Sequence, residues 1–415
     1  MNRKGNLYQT IASFENLKRA EKKARKGKTS QPGIKQFDKN PDGNLLLLNE
    51  MLLNKSYKTA EYTVFKVYEP KEREVYRLPY FPDRITHHAV MNVLEPLFIS
   101  VFTSNSYSCI KGKGIHSASF DLRKAMEDKN GSKYCLKLDV KKFYPNVDHA
   151  ILKQLLRRKI KDQDLLWLLD EIIDSAPGLP IGNYLSQYFA NFYMTYFDHW
   201  LKEQKAVKYY FRYCDDLVIL APDKASLHAL LFEIKRYLND HLKLTVKKNY
   251  QVFPVADRGI DFVGYVHFHD CVYLRKSIKQ RMARAVAKNP NSLSVPSYFG
   301  WAKHCNSKHL LKKLNMTRFS DLNIKVPSAG LEGDKIEMYK ILNKEIKVHA
   351  YEVKPSKFAD KGNGKCLHMQ IEVDKAKRVV FTGSGILMDT LAQVPKDAFP
   401  VTTTIVKEND RFQFT

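Results

Sequence analysis

The stretch that most constrains this 415-residue chain is Phe211-Arg-Tyr-Cys-Asp-Asp-Leu-Val-Ile-Leu220. Two adjacent carboxylates, Asp215 and Asp216, sit between short apolar runs rich in aromatic and β-branched residues. That pattern predicts a β-hairpin with Phe211 to Tyr213 as one strand and Leu217 to Leu220 as the other. Two acids at a tight turn between buried strands lose hydration and repel each other unless a cation joins them. A pair of Mg²⁺ ions relieves both costs, because Mg²⁺ prefers carboxylate oxygens together with substrate phosphates. A solvated Asp-Asp turn fits the stretch equally well, so the rest of the chain decides.

Charge narrows the partner class. The chain carries a formal net charge of +25. Residues 1–320 hold 54 Lys and Arg against 31 Asp and Glu, whereas residues 321–415 hold 15 against 13. So large a basic excess points to a polyanion, nucleic acid before membrane surface. With 44% hydrophobic and 27% charged residues the composition is globular, and the length predicts two or three domains. No apolar run approaches the roughly 18 residues of a membrane span, and Met1-Asn-Arg-Lys-Gly5 lacks a signal-peptide core, so the expectation is a cytoplasmic protein with no membrane partner. Six scattered cysteines without a Cys-x-x-Cys pair argue against a disulfide framework and against zinc.

Residues 1–60 read as helical, with Leu7, Ile11, Phe14 and Leu17 at helical spacing before a basic run from Lys18 to Lys28. Residues 62–79 read as two strands, Tyr62–Tyr68 and Arg73–Pro79, followed by a helix with Asp83 as its N-cap. Lys71, Arg73 and Arg84 lie near this hairpin and suit a triphosphate. His87 and His88 read as packing residues. Ser106 to His116 is a Gly-interrupted basic loop without Walker spacing, which excludes an ATPase P-loop. An apolar strand then ends at Asp139, where a carboxylate is poorly explained by packing and well explained as a further ligand beside Asp215 and Asp216. Residues 151–173 predict one amphipathic helix, and Gly178 to Asn191 a Pro/Gly loop entering an aromatic-rich helix. There Gly182, Ser186 and Gln187 suit close contact with a base pair. Asp223 is expected to cap a helix to Leu242. Leu242–Asn249 and Gly259–Tyr265 read as strands, residues 274–315 as basic helices, and Pro327–Gly330 as a linker. Residues 331–415 alternate as strands around one helix near Gly385–Gln393. They suit a small β-barrel of the oligonucleotide-binding kind or a protein-docking β-domain.

A strand-end Asp139, a Gly-containing helix entry and an Asp-Asp hairpin, in that order in a basic chain, resemble a palm-domain polymerase. The chain resembles the reverse transcriptases, and among them most those of diversity-generating retroelements, from about Phe14 to Leu314. Asp139 with Phe143-Tyr144 is similar to the first palm motif, and Tyr213-Cys-Asp-Asp216 to the Tyr-x-Asp-Asp hairpin. Gly259–Tyr265 is similar to the primer-grip strand, and Lys71–Arg84 to the fingers segment that meets the incoming triphosphate. At Ile181-Gly-Asn-Tyr-Leu-Ser-Gln187, most reverse transcriptases carry Gln-Gly-x-x-x-Ser-Pro. The mutagenic retroelement enzymes replace the Gln with an aliphatic residue and the Pro with Gln, as Ile181 and Gln187 do here.

The resemblance implies an α+β right-hand fold: N-terminal extension and fingers at 1–135, palm at 136–270 including helices at 151–175, helical thumb at 271–320, and a β domain at 331–415 outside the resemblance. It implies RNA-directed DNA synthesis that is error-prone opposite template adenine. The partners implied are a template RNA, a primer or cDNA strand, dNTPs and a small basic helical accessory protein oligomer. It also implies two Mg²⁺ ions held by Asp139, Asp215 and the Val140 carbonyl, with Asp216 in support, and Tyr144 as the gate at the sugar 2′-position. Lys71, Arg73, Arg84, Ile181, Gly182 and Gln187 would contact the substrate, and Phe262, Val263 and Gly264 would form the primer grip. Lys247 or Lys248 is a candidate to protonate the leaving pyrophosphate. Two rival readings remain: a retron, group II intron or phage-defence reverse transcriptase, and a non-catalytic RNA-binding protein on a palm scaffold.

Overall fold

Ser13 interrupts the first helical run. It ends α1 (Tyr8–Ala12) and its hydroxyl caps α2 (Phe14–Ala24) by accepting from the Asn16 amide. Next come α3 (Pro32–Phe37) and α4 (Pro41–Leu53), each with proline in the first turn, where a missing N–H leaves no bond unmade. The chain is a computed structural model describing residues 3–68, 72–290, 292–314, 331, 333–356, 364–374 and 376–415. It divides into two units, Met1–Met316 and Thr317–Thr415. Lys71 and the expected linker Pro327–Gly330 lie outside the described residues.

Strands β1 (Thr63–Val67) and β2 (Arg73–Arg77) form an antiparallel hairpin. Helix α5 (Ile85–Val101) does not use Asp83 as its cap. Asp83 is fully buried instead, accepting from the Tyr57 hydroxyl at 2.8 Å and the Ala60 amide at 3.2 Å. After α6 (Ile115–Ala125) and β3 (Tyr134–Asp139), the single helix expected over 151–173 is two, α7 (His149–Arg157) and α8 (Gln163–Asp174). The break follows from Asp162. Its carboxylate caps Leu165 and also receives the Leu7 and Tyr8 amides, so the helix restarts where the N-terminus docks.

Helix α9 (Tyr184–His199) leads into β4 (Tyr209–Tyr213) and β5 (Asp216–Ala221), then α10 (Lys224–Leu242), capped by Asp223 as expected. The strand expected over 242–249 is absent: Leu242 closes α10, Lys243 is left-handed, and Val246 makes only an isolated bridge to Val140. Strand β6 (Gln251–Pro254) takes the sheet edge instead. After α11 (Val255–Arg258), the Gly259–Tyr265 segment is not one strand. It turns back, β7 (Ile260–Phe262) pairing with β8 (Tyr265–His267), which pairs with β9 (Val272–Leu274). Helices α12 (Lys276–Lys288), α13 (Val295–Ala302) and α14 (Lys308–Lys313) complete this unit.

The sheet that positions the site is antiparallel in the order β4-β5-β3-β6. Side chains alternate across it. Leu136, Leu138, Tyr210, Leu217 and Ile219 join the large helical core, while Cys135, Phe211, Val218, Leu220 and Phe253 join a second core with α6 and the β7–β9 sheet. Both faces are therefore covered, which is why the strands read as near-continuous apolar runs.

In the second unit, β10 (Asp334–Ile336), β11 (Glu345–Pro355), β12 (Lys365–Val373) and β13 (Ala376–Thr382) precede α15 (Gly385–Ala392), β14 (Val401–Glu408) and β15 (Arg411–Phe414). The strands pair in the order β10-β13-β12-β11-β14-β15. Among the described residues the edge strands β10 and β15 do not pair with each other, so the strands form an open sheet, and the oligonucleotide-binding barrel, one of the two expected forms, is not seen. Leu387, Met388 and Leu391 of α15 share a core with Met369, Ile371 and Val380.

Candidate active site

The β3–β5 register sets Asp139 directly opposite Asp216, and the β4–β5 register pairs Tyr213 with Asp216. Only Cys214 and Asp215 therefore connect the strands. Cys214 adopts φ +54°, a region that a Cβ disfavours and that hairpin connections usually give to Gly or Asn. The Val140 amide donates to the Asp215 carbonyl at 3.2 Å, tying the turn to the end of β3. The Lys247 amide donates to the Asp139 carbonyl at 2.9 Å, and its Nζ lies 3.7 Å from Asp139 Oδ2. Lys248 is exposed.

Burial raises the Asp215 carboxyl, and the Asp139 charge adds to this, while Lys247 and Arg73 oppose it. Burial likewise pushes Asp216 up to about 6 against the pull of Lys137, whose Nζ is 3.0 Å from its Oδ1. The same Lys137 ammonium donates to the Asp261 carbonyl and lies 5.9 Å from the Phe262 ring centre. It thus links the carboxylate sheet to the β7–β8 hairpin.

Among the described residues no three His, Cys, Asp or Glu side chains converge closely enough to cage a metal. The oxygen-only donors of Asp139 and Asp215 nevertheless fit Mg²⁺, which binds one or two carboxylates and completes its shell with water and phosphate. Zinc, which favours a closed nitrogen or sulfur set, does not fit.

The residues expected to contact substrate fall into two groups. Arg73 is near enough to Asp215 to act on its charge. The Tyr76 amide of β2 donates to the Ile181 carbonyl at 2.7 Å. Gly182, at φ +111°, packs so closely that a Cβ there would lie 2.5 Å from the Tyr76 carbonyl oxygen. At the start of that loop the Leu179 amide donates to the Tyr144 carbonyl at 2.8 Å. One short loop thereby joins Tyr144, Ile181 and the Arg73 hairpin. The Tyr144 hydroxyl lies 3.8 Å from Cys214 Sγ, and Gln187 accepts from the Cys109 thiol at 2.9 Å. Arg84 stands apart. It lines a cavity of about 500 Å³ with Gln31, Gln36, Asn44 and Arg77 rather than with the carboxylates.

Phe262 is buried, and Val263 (φ +44°) with Gly264 (φ +88°) forms the two-residue β7–β8 turn. A Cβ on Gly264 would lie 2.4 Å from the Trp301 ring of α13, so the turn is seated against the helices that follow.

Sequence reasoning missed two groups. Lys137 and Arg212 are charged residues inside apolar strands, and Asp198 is an acid inside an aromatic helix; each was a visible interruption of pattern. Arg212 and Asp198 are both fully buried and paired at 2.5 Å. Ser108, which accepts from the Cys214 thiol at 2.8 Å, carried no such signal.

Residues 69–267 match the family described as reverse transcriptase (RNA-dependent DNA polymerase), and residues 332–415 match a domain of unknown function (DUF8468). Protein YkfC of Escherichia coli is 23% identical over 53% of this chain and 70% of its own length. The retron Ec73 reverse transcriptase of Escherichia coli is 24% identical over 52% of this chain and 74% of its own. The group II intron-encoded protein LtrA of Lactococcus lactis is 26% identical over 31% of this chain and 23% of its own. Telomerase from Candida albicans aligns with 62% of this chain and 54% of that chain, at 13% identity and a TM-score of 0.41, too distant a likeness to carry an argument. The chain carries a reverse transcriptase domain related to those of retrons and group II introns, and it is an RNA-directed DNA polymerase, a nucleotidyltransferase.

Proposed function

We propose that Asp139 and Asp215 are the catalytic carboxylates of this polymerase and that it copies template RNA into cDNA with low fidelity opposite adenine, as in a diversity-generating retroelement. The observation that carries the site is the register that brings the end of β3 beside the Cys214–Asp215 turn. Asp139, Asp215 and the Val140 carbonyl would hold two Mg²⁺ ions, which supply charge neutralisation at the triphosphate and acidification of the primer 3′-hydroxyl. Asp216, held by Lys137, keeps negative charge behind them. Arg73 neutralises the triphosphate, and Lys247, beside Asp139, is placed to protonate pyrophosphate. Tyr144 closes the sugar edge, and Phe262 to Gly264 hold the primer end. Fingers at 1–135, palm at 136–270 and thumb at 271–320 belong to this reading, as do a template RNA and a small basic accessory protein. Lys71 would join Arg73; Arg84, in its separate cavity, is left out of the triphosphate site.

Low fidelity rests on Ile181 and Gln187. An aliphatic side chain at 181 removes a hydrogen-bonding group near the nascent pair, and rejection of wrong pairs depends on polar complementarity. The second reading, a copying enzyme of ordinary fidelity, is favoured by the retron and group II relatives. Sequencing cDNA made on a defined RNA separates the two. Errors concentrated at template A, and reduced in Ile181→Gln, support the mutagenic reading; equal errors at all four bases remove it.

A further inference from the structure

A guanidinium buried from water must give every N–H a partner, and Arg212 does so. Its Nε donates to Asp198 Oδ1 at 2.8 Å and one Nη2 hydrogen to Asp198 Oδ2 at 2.5 Å. The other Nη2 hydrogen goes to Ser106 Oγ at 2.9 Å, and Nη1 donates to Asn191 Oδ1 and to the Cys214 carbonyl, each at 3.1 Å. All five donors are used. Asp198 is equally committed, accepting also from the Tyr210 hydroxyl at 2.7 Å and the Ser106 hydroxyl at 3.0 Å.

Two apolar residues of matching volume would cost less desolvation at this position. What the charged pair adds is direction. The planar fork reaches from α9 through β4 to one carbonyl, that of the left-handed Cys214 immediately before Asp215. The Ser108 hydroxyl accepts from the Cys214 thiol, and Asn191 donates to the Ser108 carbonyl at 2.7 Å, so both restraints return to α9.

We propose that Arg212 and Asp198 are positioning residues for nucleotidyl transfer: the buried pair fixes the Cys214 carbonyl and so holds the Asp215 carboxylate in place. The inference rests on the reading of Asp215 as a catalytic carboxylate, and its test separates the two.

The test is primer extension on RNA, with kcat, template-primer Kd, Tm and the Mg²⁺ concentration for half-maximal rate measured for each variant. Arg212→Lys keeps the charge but cannot reach Asp198, Asn191, Ser106 and Cys214 together. It is expected to lower kcat by about a hundredfold, the size of effect that a 1 Å misplacement produces, and to raise the Mg²⁺ requirement several-fold with template-primer Kd unchanged. The double variant Asp198→Leu/Arg212→Met removes both charges. It is expected to recover Tm relative to either single change while kcat stays low. Recovery of kcat together with Tm would overturn the proposal, because the pair would then serve folding alone. So would an unchanged kcat and Mg²⁺ requirement in Arg212→Lys. Asp215→Ala run alongside is expected to be inactive; if it extends primers, the reading of the carboxylate fails instead.

Discussion

The two sheets of this protein handle charge in opposite ways. In the β4-β5-β3-β6 sheet, Arg212 is fully buried, and Lys137 and Asp216 are largely so, each with a partner. In the open C-terminal sheet the polar pairs lie on a solvated face: His349 with Glu372 at 3.1 Å, Lys354 with Glu352 at 2.6 Å. The first sheet has apolar cores on both faces, and the C-terminal sheet contributes to one core. The difference is where polar groups are tolerated. Buried charge costs several kcal/mol per ion unless it is paired and fully bonded. The first sheet bears the Cys214–Asp215 turn; the second has no buried charged side chain in its interior among the described residues.

Substitutions in and beside the two sheets sharpen that contrast. Asp198→Ala strands the Arg212 guanidinium and is expected to destabilise by about 3–5 kcal/mol, read as a fall in the denaturant midpoint. Met369→Ala, in the C-terminal core, is expected to cost about 2–5 kcal/mol by leaving a cavity. A cost near zero there would mean that this core is not packed as described. Gly182→Ala places a Cβ against the Tyr76 carbonyl at a positive φ. It is expected to cost about 1–3 kcal/mol of local strain and to raise the KM for dNTPs, because the loop carries the Arg73 hairpin. Glu372→Gln, on the solvated face, is expected to change stability by about 0.5 kcal/mol or less. A loss as large as that of Asp198→Ala would erase the contrast between the sheets.

Much of the site was legible because its chemistry interrupts a pattern. Asp139 ends an apolar strand, and Asp215-Asp216 splits two others; both read correctly as strand ends and turn. Tyr144, Ile181 and Gln187 came from resemblance to a family, and the structure places Tyr144 by Cys214 and Ile181 against β2. What failed to show was decided by long-range bonds. Asp83 resembles a cap in one dimension and is a buried acceptor for Tyr57 in three. Asp162 starts a second helix, and the Leu7 amide that shares its carboxylate comes from 155 residues away. The expected strand at 242–249 is cut short because α10 runs to Leu242 and Lys243 turns left-handed, leaving Val246 a single bridge to Val140. The hairpin at 259–265 depends on positive φ at Val263, which no propensity favours.

The central claim is that Asp139 and Asp215 form one carboxylate site for RNA-directed DNA synthesis. It is tested most directly by primer extension on an RNA template with Mg²⁺ and dNTPs, comparing wild type with Asp139→Ala and Asp215→Ala at matched folding and template binding. The expected result is a loss of about 10³-fold or more in rate for each variant, with template-primer Kd and Tm near wild type. Extension by either variant at a rate near that of wild type would contradict it.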